Sequence, residues 1–485
     1  MSRHINANNP TMKFSKEVEA FIKDFLSEIE ESNAAIFAGA GLSVASGYVD
    51  WKALLQEFAE ELGLDIKKEN DLLSLIQYHL NKNASNRHLL NQKITREFHS
   101  GKRPNENHRI LTRLPISLYW TTNYDKLLET ALQESGKIVD VKYTIPQLAR
   151  TIPGRDVTLY KMHGDVEHPS ETILSKDEYE KYYHTHGPYL NALSGDLVSK
   201  TFLFIGFSFT DPNLDYVLSR IRVTYQNNQR HHYCFFREVK KEEGETDEQF
   251  NYKKLKQTLA IQDLLRFNIK VILVNEYTEI TDILKEIEYR YKQRTIYVSG
   301  SAAEYGKWSA MEAEGFIVEL SRQLIRSNFK IISGFGLGVG SSVINGVLQE
   351  VYINKHEKLK DQLLLRPFPQ GDTGKLQWEN YRKDMLSYAG IAIFIFGNKI
   401  EDEKLVLADG VRKEFEIALQ GGALVIPIGA TGYVAKELWE KVHAEYEKYY
   451  PGKINFDIFE KLGDETVDPQ TIIKQLLTFL SQLNK

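Results

Sequence analysis

At 485 residues, with 42% apolar and 26% charged residues and a formal charge of −5, the chain has an ordinary globular composition and the length of two or three domains. The mildly acidic balance offers no electrostatic footprint for nucleic acid, and no stretch reaches the roughly 18 apolar residues of a membrane span. The single Cys234 excludes an internal disulfide and a multi-cysteine zinc site. A cytoplasmic protein with no metal and no nucleic-acid or membrane partner is the expectation. Residues 1–11 are polar, precede a second methionine, Met12, and read as a tail.

Val18, Phe21, Ile22, Phe25, Leu26 and Ile29 recur at helical spacing and predict an amphipathic helix lying on the strand Ala34–Ala38. That strand breaks into Gly39-Ala40-Gly41 and then Ser43. Helix, strand and glycine turn open a doubly wound α/β fold. Positions without side chains let backbone N–H groups approach a pyrophosphate, and the next helix points its positive end at the same anion. An ordinary strand-to-helix turn gives the same short pattern, so the motif needs support from the rest of the chain.

A helix is expected over Lys52–Leu62, and the helical, polar pattern from Ile66 to Arg109 reads as an insertion on the sheet. A strand from Ile116 then ends in Asn123 and Asp125, before a helix over Lys126–Leu132. Thr158–Asp165 repeats the arrangement, with His163-Gly164 where the strand should stop. Thr201–Ile205 ends in Gly206 and Ser208, with Asp211-Pro212 opening a helix, and Val271–Asn275 is a further strand. Open α/β sheets bind ligands at the carboxyl ends of their strands, which puts these polar residues on the functional edge. His184-Thr185-His186 lacks a third metal ligand at a recognised spacing and reads as loop. The charged run Lys240–Lys256 reads as a solvated loop and helix face.

A closing helix through Ile287 and Tyr291 places a boundary near Lys292, giving domains 12–291 and 292–485. The second opens on a strand and turn, Thr295–Ser301, containing Ser299 and Gly300. A strand ending at Ser333 leads into Gly334, Gly336 and Gly338, then a helix over Ser341–Val351. Such a loop forms either a nest of N–H donors for phosphate or a flexible hairpin. Ile391–Gly397 is a buried strand with Lys399 just beyond. Arg382 on the preceding helix is either a phosphate ligand or a surface charge. Glu414 lies on a helix over Val411–Leu419, and Ala423–Pro427 closes the sheet.

Gly39-Ala-Gly-Leu-Ser43, Thr122-Asn-Tyr-Asp125, His163-Gly164, Gly206-Phe-Ser208 and Val274-Asn275 occur in the order of the sirtuin NAD-binding motifs. The first domain therefore resembles a sirtuin-like Rossmann domain with a helical insertion. It departs from the deacylases in two ways: one cysteine cannot supply their four-cysteine zinc site, and their Pro-Asp-Phe-Arg segment appears as Val49-Asp50-Trp51-Lys52. Both departures resemble bacterial sirtuin-like domains that hydrolyse NAD in antiphage defence. The second domain resembles the Rossmann-like SLOG family, and the pair resembles the Thoeris A defence family from Met12 onward.

The resemblance implies a metal-free NAD glycohydrolase with NAD as its substrate. A cyclic ADP-ribose isomer, made by a TIR-domain protein, would bind the SLOG domain and switch it on, and NAD depletion would follow. It also implies a homotetramer or higher assembly formed through the sirtuin-like domains. By the same analogy Ala38, Gly39, Ala40, Gly41 and Ser43 hold the pyrophosphate, Asp50 belongs to the NAD site, and Gly206, Ser208 and Asn275 line the ribose and adenine side. Asn123 orients the water or the nicotinamide ribose, and His163 is the general base for that water or a ribose hydroxyl. Asp125 is either a charge-stabilising partner or a helix cap. Arg382, Lys399 and Glu414 match ligand-contacting positions of the SLOG domain, joined by Ser299, Gly300, Gly334, Gly336 and Gly338. The phosphoribohydrolase Pro-Gly-Gly-x-Gly-Thr motif is missing after Phe396, which implies binding without cleavage. A non-hydrolytic NAD sensor and a zinc-free protein deacylase are the competing readings.

Overall fold

The computed structural model describes residues 14–99, 101–353, 362–369, 371–452 and 455–483, so the tail at 1–11 lies outside the described residues. Two compact units emerge, Phe14–Glu288 and Tyr289–Lys485.

The first unit is built on β1 (Ala34–Ala38), a strand so apolar that every residue of it is buried. Such a strand needs cover on both faces and parallel neighbours on both edges. These are supplied by β2 (Leu118–Thr121), β3 (Val139–Lys142), β4 (Val157–Lys161), β5 (Thr201–Ile205), β6 (His232–Arg237) and β7 (Ile269–Val274). The sheet runs β3-β4-β2-β1-β5-β6-β7, and every pairing is parallel. From β1 the chain builds outward through β2, then returns to place β5 on the other side of β1. The switch point, where open α/β sheets leave a crevice, therefore lies between β1 and β5.

The helix Lys16–Glu30 starts where the Ser15 hydroxyl accepts the Val18 N–H, and it buries Val18, Phe21, Ile22, Phe25 and Ile29. The expected helix at Lys52–Leu62 is present as Trp51–Leu62, and the expected insertion follows it as helices Leu72–Lys82 and His88–Phe98, the three packing together. Their core includes Leu55, Phe58, Ile76, Leu90 and Ile94, and the same cluster takes in Tyr124 and Val166. The insertion is thereby seated on the loops that follow β2 and β4. Three features correct the sequence reading. β3 and β6 are strands that it missed, and His184 lies in the helix Lys176–Thr185 rather than in a loop.

In the second unit β8 (Thr295–Ser301), β9 (Lys330–Ser333), β10 (Leu363–Leu365) and β11 (Ile391–Phe396) form another parallel sheet. An antiparallel ribbon of β12 (Asn398–Glu401) and β13 (Lys404–Leu407) follows, and β14 (Leu424–Pro427) closes the sheet in the order β10-β9-β8-β11-β14. Here the switch point falls between β8 and β11. Both units are Rossmann-like, and Gly39, Asn123 and Gly206 in the first and Ser299 in the second lie at the carboxyl ends of central strands.

Candidate functional site

The end of β2 is tied to the end of β1 before any functional side chain is placed. Thr121 donates its hydroxyl to Ala38 O at 2.9 Å and accepts the Asn123 N–H at 3.0 Å. Asn123 then spends both protons of its amide on the neighbouring turn, one on Gly39 O at 3.1 Å and one on Ser43 Oγ at 3.0 Å. Ser43 passes its own proton to Asp125 Oδ2 at 2.8 Å, and Asp125 Oδ1 accepts the Leu127 N–H at 2.9 Å. Asp125 is thus a helix-start acceptor, one of the two roles that the sequence left open, and it is also the hydrogen-bond partner of Ser43. With its N–H groups committed, Asn123 presents only its carbonyl oxygen to a ligand, an acceptor suited to a water or a ribose hydroxyl.

Ala40, Ser43, Asp50, Trp51, Asn123 and Asp125 share a cavity of about 20 Å³. That volume admits little more than one water. Asp50 sits at its rim and caps the helix Trp51–Leu62 by accepting the Ala53 N–H at 2.8 Å.

The glycines of the turn have a reason that the sequence did not disclose. Gly206 after β5 has φ +64°, and a Cβ there would lie 2.2 Å from Leu42 N; a Cβ on Gly39 would lie 2.5 Å from Gly206 O. Gly39 N–H donates to Ile205 O at 2.9 Å and Gly41 N–H to Gly206 O at 2.8 Å. The glycines let two backbone turns interlock across the β1–β5 switch point, and two of the N–H groups expected to face a phosphate are already occupied.

His163 follows β4 as expected, but it is only 1% exposed. Its Nε2 lies 3.2 Å from Asp211 Oδ2 and its Nδ1 3.3 Å from the Tyr179 hydroxyl, which also donates to Asp211 at 3.3 Å. Asp211 additionally starts the helix Pro212–Tyr225 by accepting the Asn213 and Leu214 N–H groups. Burial alone would raise the Asp211 carboxyl, but His163 and those N–H donors outweigh it and leave it below the usual carboxylate range. Burial and the neighbouring Asp211 push the Tyr179 phenol well up. Neither Asp211 nor Tyr179 was singled out from sequence, although Asp211-Pro212 was read as a helix start.

Ser208 is exposed and shares a hydrogen bond with Thr210 at 2.8 Å. Asn275 is exposed at the end of β7, the outer strand, with β6 between it and β5. It therefore stands about 14 Å across the sheet from β1.

In the second unit Ser299, Arg382 and Glu414 do come together. Buried Glu414 accepts the Ser299 hydroxyl at 2.6 Å and Arg382 Nε at 3.3 Å. The Arg382 guanidinium lies 4.8 Å from the Phe368 ring and 5.6 Å from the Trp378 ring, which places it in an aromatic setting rather than on an open surface. Burial pushes the Glu414 carboxyl up, opposed by Ser299 and Arg382. A Cβ on Gly334 would lie 2.9 Å from Phe368 and 3.2 Å from the Tyr297 hydroxyl, so this glycine borders the cluster. Gly336 and Gly338 serve close packing: added Cβ atoms would lie 1.9 Å from Gly300 O and 2.0 Å from Ala302 O. Lys399 stands apart on the β12–β13 ribbon, paired with Glu401 at 2.8 Å. Asn398, unmarked in the sequence reading, accepts the Ala303 and Glu304 N–H groups and fixes the turn after β8.

Among the described residues no three His, Cys, Asp or Glu side chains gather as a metal site, and no helix is long and apolar enough to cross a membrane.

A parallel sheet with an asparagine-centred cavity at β1 and β2, followed by a second Rossmann-like unit with a buried Arg–Glu pair, defines a sirtuin-like protein carrying a SLOG domain. A family model described as a SIR2-like domain matches residues 117–259, and one described as the Sir2- and TIR-associating SLOG family matches residues 279–483. The chain is 54% identical over 475 residues to "NAD(+) hydrolase ThsA" of Bacillus cereus (strain MSX-D12), covering 98% of this chain and 100% of that one. It is 46% identical over 475 residues to "NAD(+) hydrolase ThsA" of Acinetobacter baumannii (strain 532279), covering 96% and 98%. "Defense-associated sirtuin 2" of Bacillus subtilis is 27% identical over 210 residues, 41% of this chain and 20% of that protein. The chain belongs to the ThsA family of NAD(+) hydrolases.

Proposed function

We propose that this chain hydrolyses NAD to nicotinamide and ADP-ribose in antiphage defence, and that a cyclic ADP-ribose isomer bound at the second domain switches it on. The domain assignment is 12–291 for hydrolysis and 292–485 for sensing. The observation carrying the chemistry is Asn123, fixed by Gly39 and Ser43 so that only its amide oxygen meets the ligand. Breaking the nicotinamide–ribose bond passes through an oxocarbenium-like sugar, which needs nearby negative charge and a directed water. Asp125 supplies the charge, and the Asn123 oxygen orients the water or the ribose hydroxyl beside it. The attacking water gives its oxygen to the anomeric carbon and releases a proton as nicotinamide departs. His163 accepts that proton once water replaces one of its contacts with Asp211 or Tyr179. Ala38 to Ser43 hold the pyrophosphate, and Gly206, Ser208 and Asn275 line the remainder of the dinucleotide.

The cavity of about 20 Å³ beside Asn123 fits a regulated enzyme, because a nicotinamide ribose needs more room there than it offers. Ser299, Arg382 and Glu414, bordered by Gly300, Gly334, Gly336 and Gly338 and completed by Lys399, form the proposed receptor for the isomer. A TIR-domain enzyme is its source, and the protein acts in the cytoplasm as a homotetramer or higher assembly. The test is nicotinamide release by the purified protein with and without cyclic ADP-ribose isomers, beside Asn123→Ala. Release that rises with one isomer and vanishes in the variant supports the proposal. Bound NAD with no release under any condition favours the sensor reading, and acetyl-ADP-ribose formed from an acetyl-peptide marks a deacylase.

A further inference from the structure

The first unit contains a lysine with no exposure at all. Lys161, the last residue of β4, is fully buried, and its Nζ lies among four acceptors. Two are carboxylate oxygens, Glu129 Oε1 at 2.8 Å and Asp165 Oδ2 at 2.6 Å. The other two are backbone carbonyls, Tyr124 O at 3.1 Å and Asp125 O at 2.6 Å. Tyr124 and Asp125 directly follow Asn123, and Asp165 lies two residues beyond His163. One ammonium therefore grips both loops that carry the candidate catalytic side chains.

We infer that Lys161 is a positioning residue that sets the geometry of the Asn123 and His163 loops, holding the first by its backbone carbonyls and the second through Asp165. This rests on the NAD-hydrolase reading for its consequence, but not for its geometry. An ammonium has three protons, so four acceptors leave none spare for substrate. With two protons taken by the carboxylates, the third falls to the two carbonyls of the loop after β2, which ties that loop to the acids. Asp165 extends the grip: its Oδ1 accepts the Glu167 N–H at 2.9 Å and faces Lys126 Nζ at 3.2 Å. The loop after β2 cannot shift relative to the loop after β4 without breaking these bonds. Small displacements of positioned groups cost large factors in rate, which gives such a tether a kinetic signature.

Removing Lys161 alone strands two buried carboxylates, so the test pairs its replacement with Asp165→Asn and leaves Glu129, whose carboxyl burial already pushes up, to take a proton. Three full-length variants are compared with wild type: Asp165→Asn, Lys161→Gln/Asp165→Asn and Lys161→Met/Asp165→Asn. The readouts are thermal unfolding, amide hydrogen exchange at residues 122–127, and nicotinamide release with the activating isomer. The expected order of kcat is Asp165→Asn, then the Gln variant, then the Met variant. The Met variant should fall by about tenfold or more with KM changed by less than about threefold, because the loss is of transition-state geometry. Exchange at 122–127 should quicken in the same order. A folded Met variant with the kcat and exchange of Asp165→Asn overturns the inference. If the Met variant does not fold, the Gln variant is read against Asp165→Asn, and equal values overturn it. Exchange needs no turnover, so an inactive wild type with the expected exchange order would sink the NAD reading and leave Lys161 in its role.

Discussion

Ser43 Oγ lies 2.8 Å from Asp125 Oδ2, joining the turn after β1 to the loop after β2 in a buried hydrogen bond. The same oxygen accepts from Asn123, so one hydroxyl orients both an amide and a carboxylate. Ser43→Ala should leave Asp125 short of a buried donor at a cost of about 1–3 kcal/mol. Nicotinamide release should drop by about 10²-fold as Asn123 loses its second anchor. Urea unfolding and steady-state kinetics on the one variant check both figures.

Gly206→Ala tests the interlocked turns. The left-handed backbone costs a non-glycine residue about 1–3 kcal/mol, and the clash with Leu42 N adds to it. A total loss near 3 kcal/mol or more is expected, read as a lowered urea midpoint. Unchanged stability would mean that the two turns separate freely.

Asp211 predicts a particular acid response. Its folded carboxyl lies below the ordinary 3.8, so its stabilising contribution is present above that value and is lost as pH falls through the lowered one. Asp211→Asn should therefore lose stability less steeply than wild type below about pH 4. Unfolding midpoints measured from pH 6 to pH 3 decide it. The variant should also impair turnover at neutral pH, since His163 Nε2 loses the carboxylate that faces it.

Arg382→Ala should abolish activation by the isomer. It removes the guanidinium beside Glu414, whose carboxyl burial already pushes up. Arg382→Lys should fail as well, because a lysine cannot reproduce a planar cation beside Phe368 and Trp378. Isomer binding by calorimetry, with thermal unfolding as the control for folding, separates lost recognition from lost structure. Activation surviving in both variants would move the receptor site elsewhere.

The strands legible in the sequence were those whose apolar runs end in glycine or polar residues, as β1, β2, β4, β5 and β7 do. β3 and β6 were hidden by their chemistry. Asp140 and Lys142 are both buried inside β3 and paired with each other at 2.8 Å, so the strand reads as polar. β6 opens on His232 directly after a run of Gln, Asn, Arg and His, which masks its apolar middle. In the site, Asn123, Ser43 and Asp125 were found because they end strands, whereas Tyr179, Asp211 and Lys161 matter through contacts across the fold that spacing does not encode. The glycines were recognised for an anion, but their second use, the close approach of the backbone at Gly206, lies beyond what spacing encodes.

A chamber with room for about one water at Asn123 has a bearing on the cell that carries this protein. An enzyme that destroys a central coenzyme endangers its host whenever it is merely present. On the function proposed above the safeguard would be steric: a protein closed at rest would accumulate without draining the pool, and its background toxicity would follow how often the chamber opens unprompted. Selection for a quiet weapon would then act on the packing of Trp51 and the insertion helices as strongly as on the catalytic side chains.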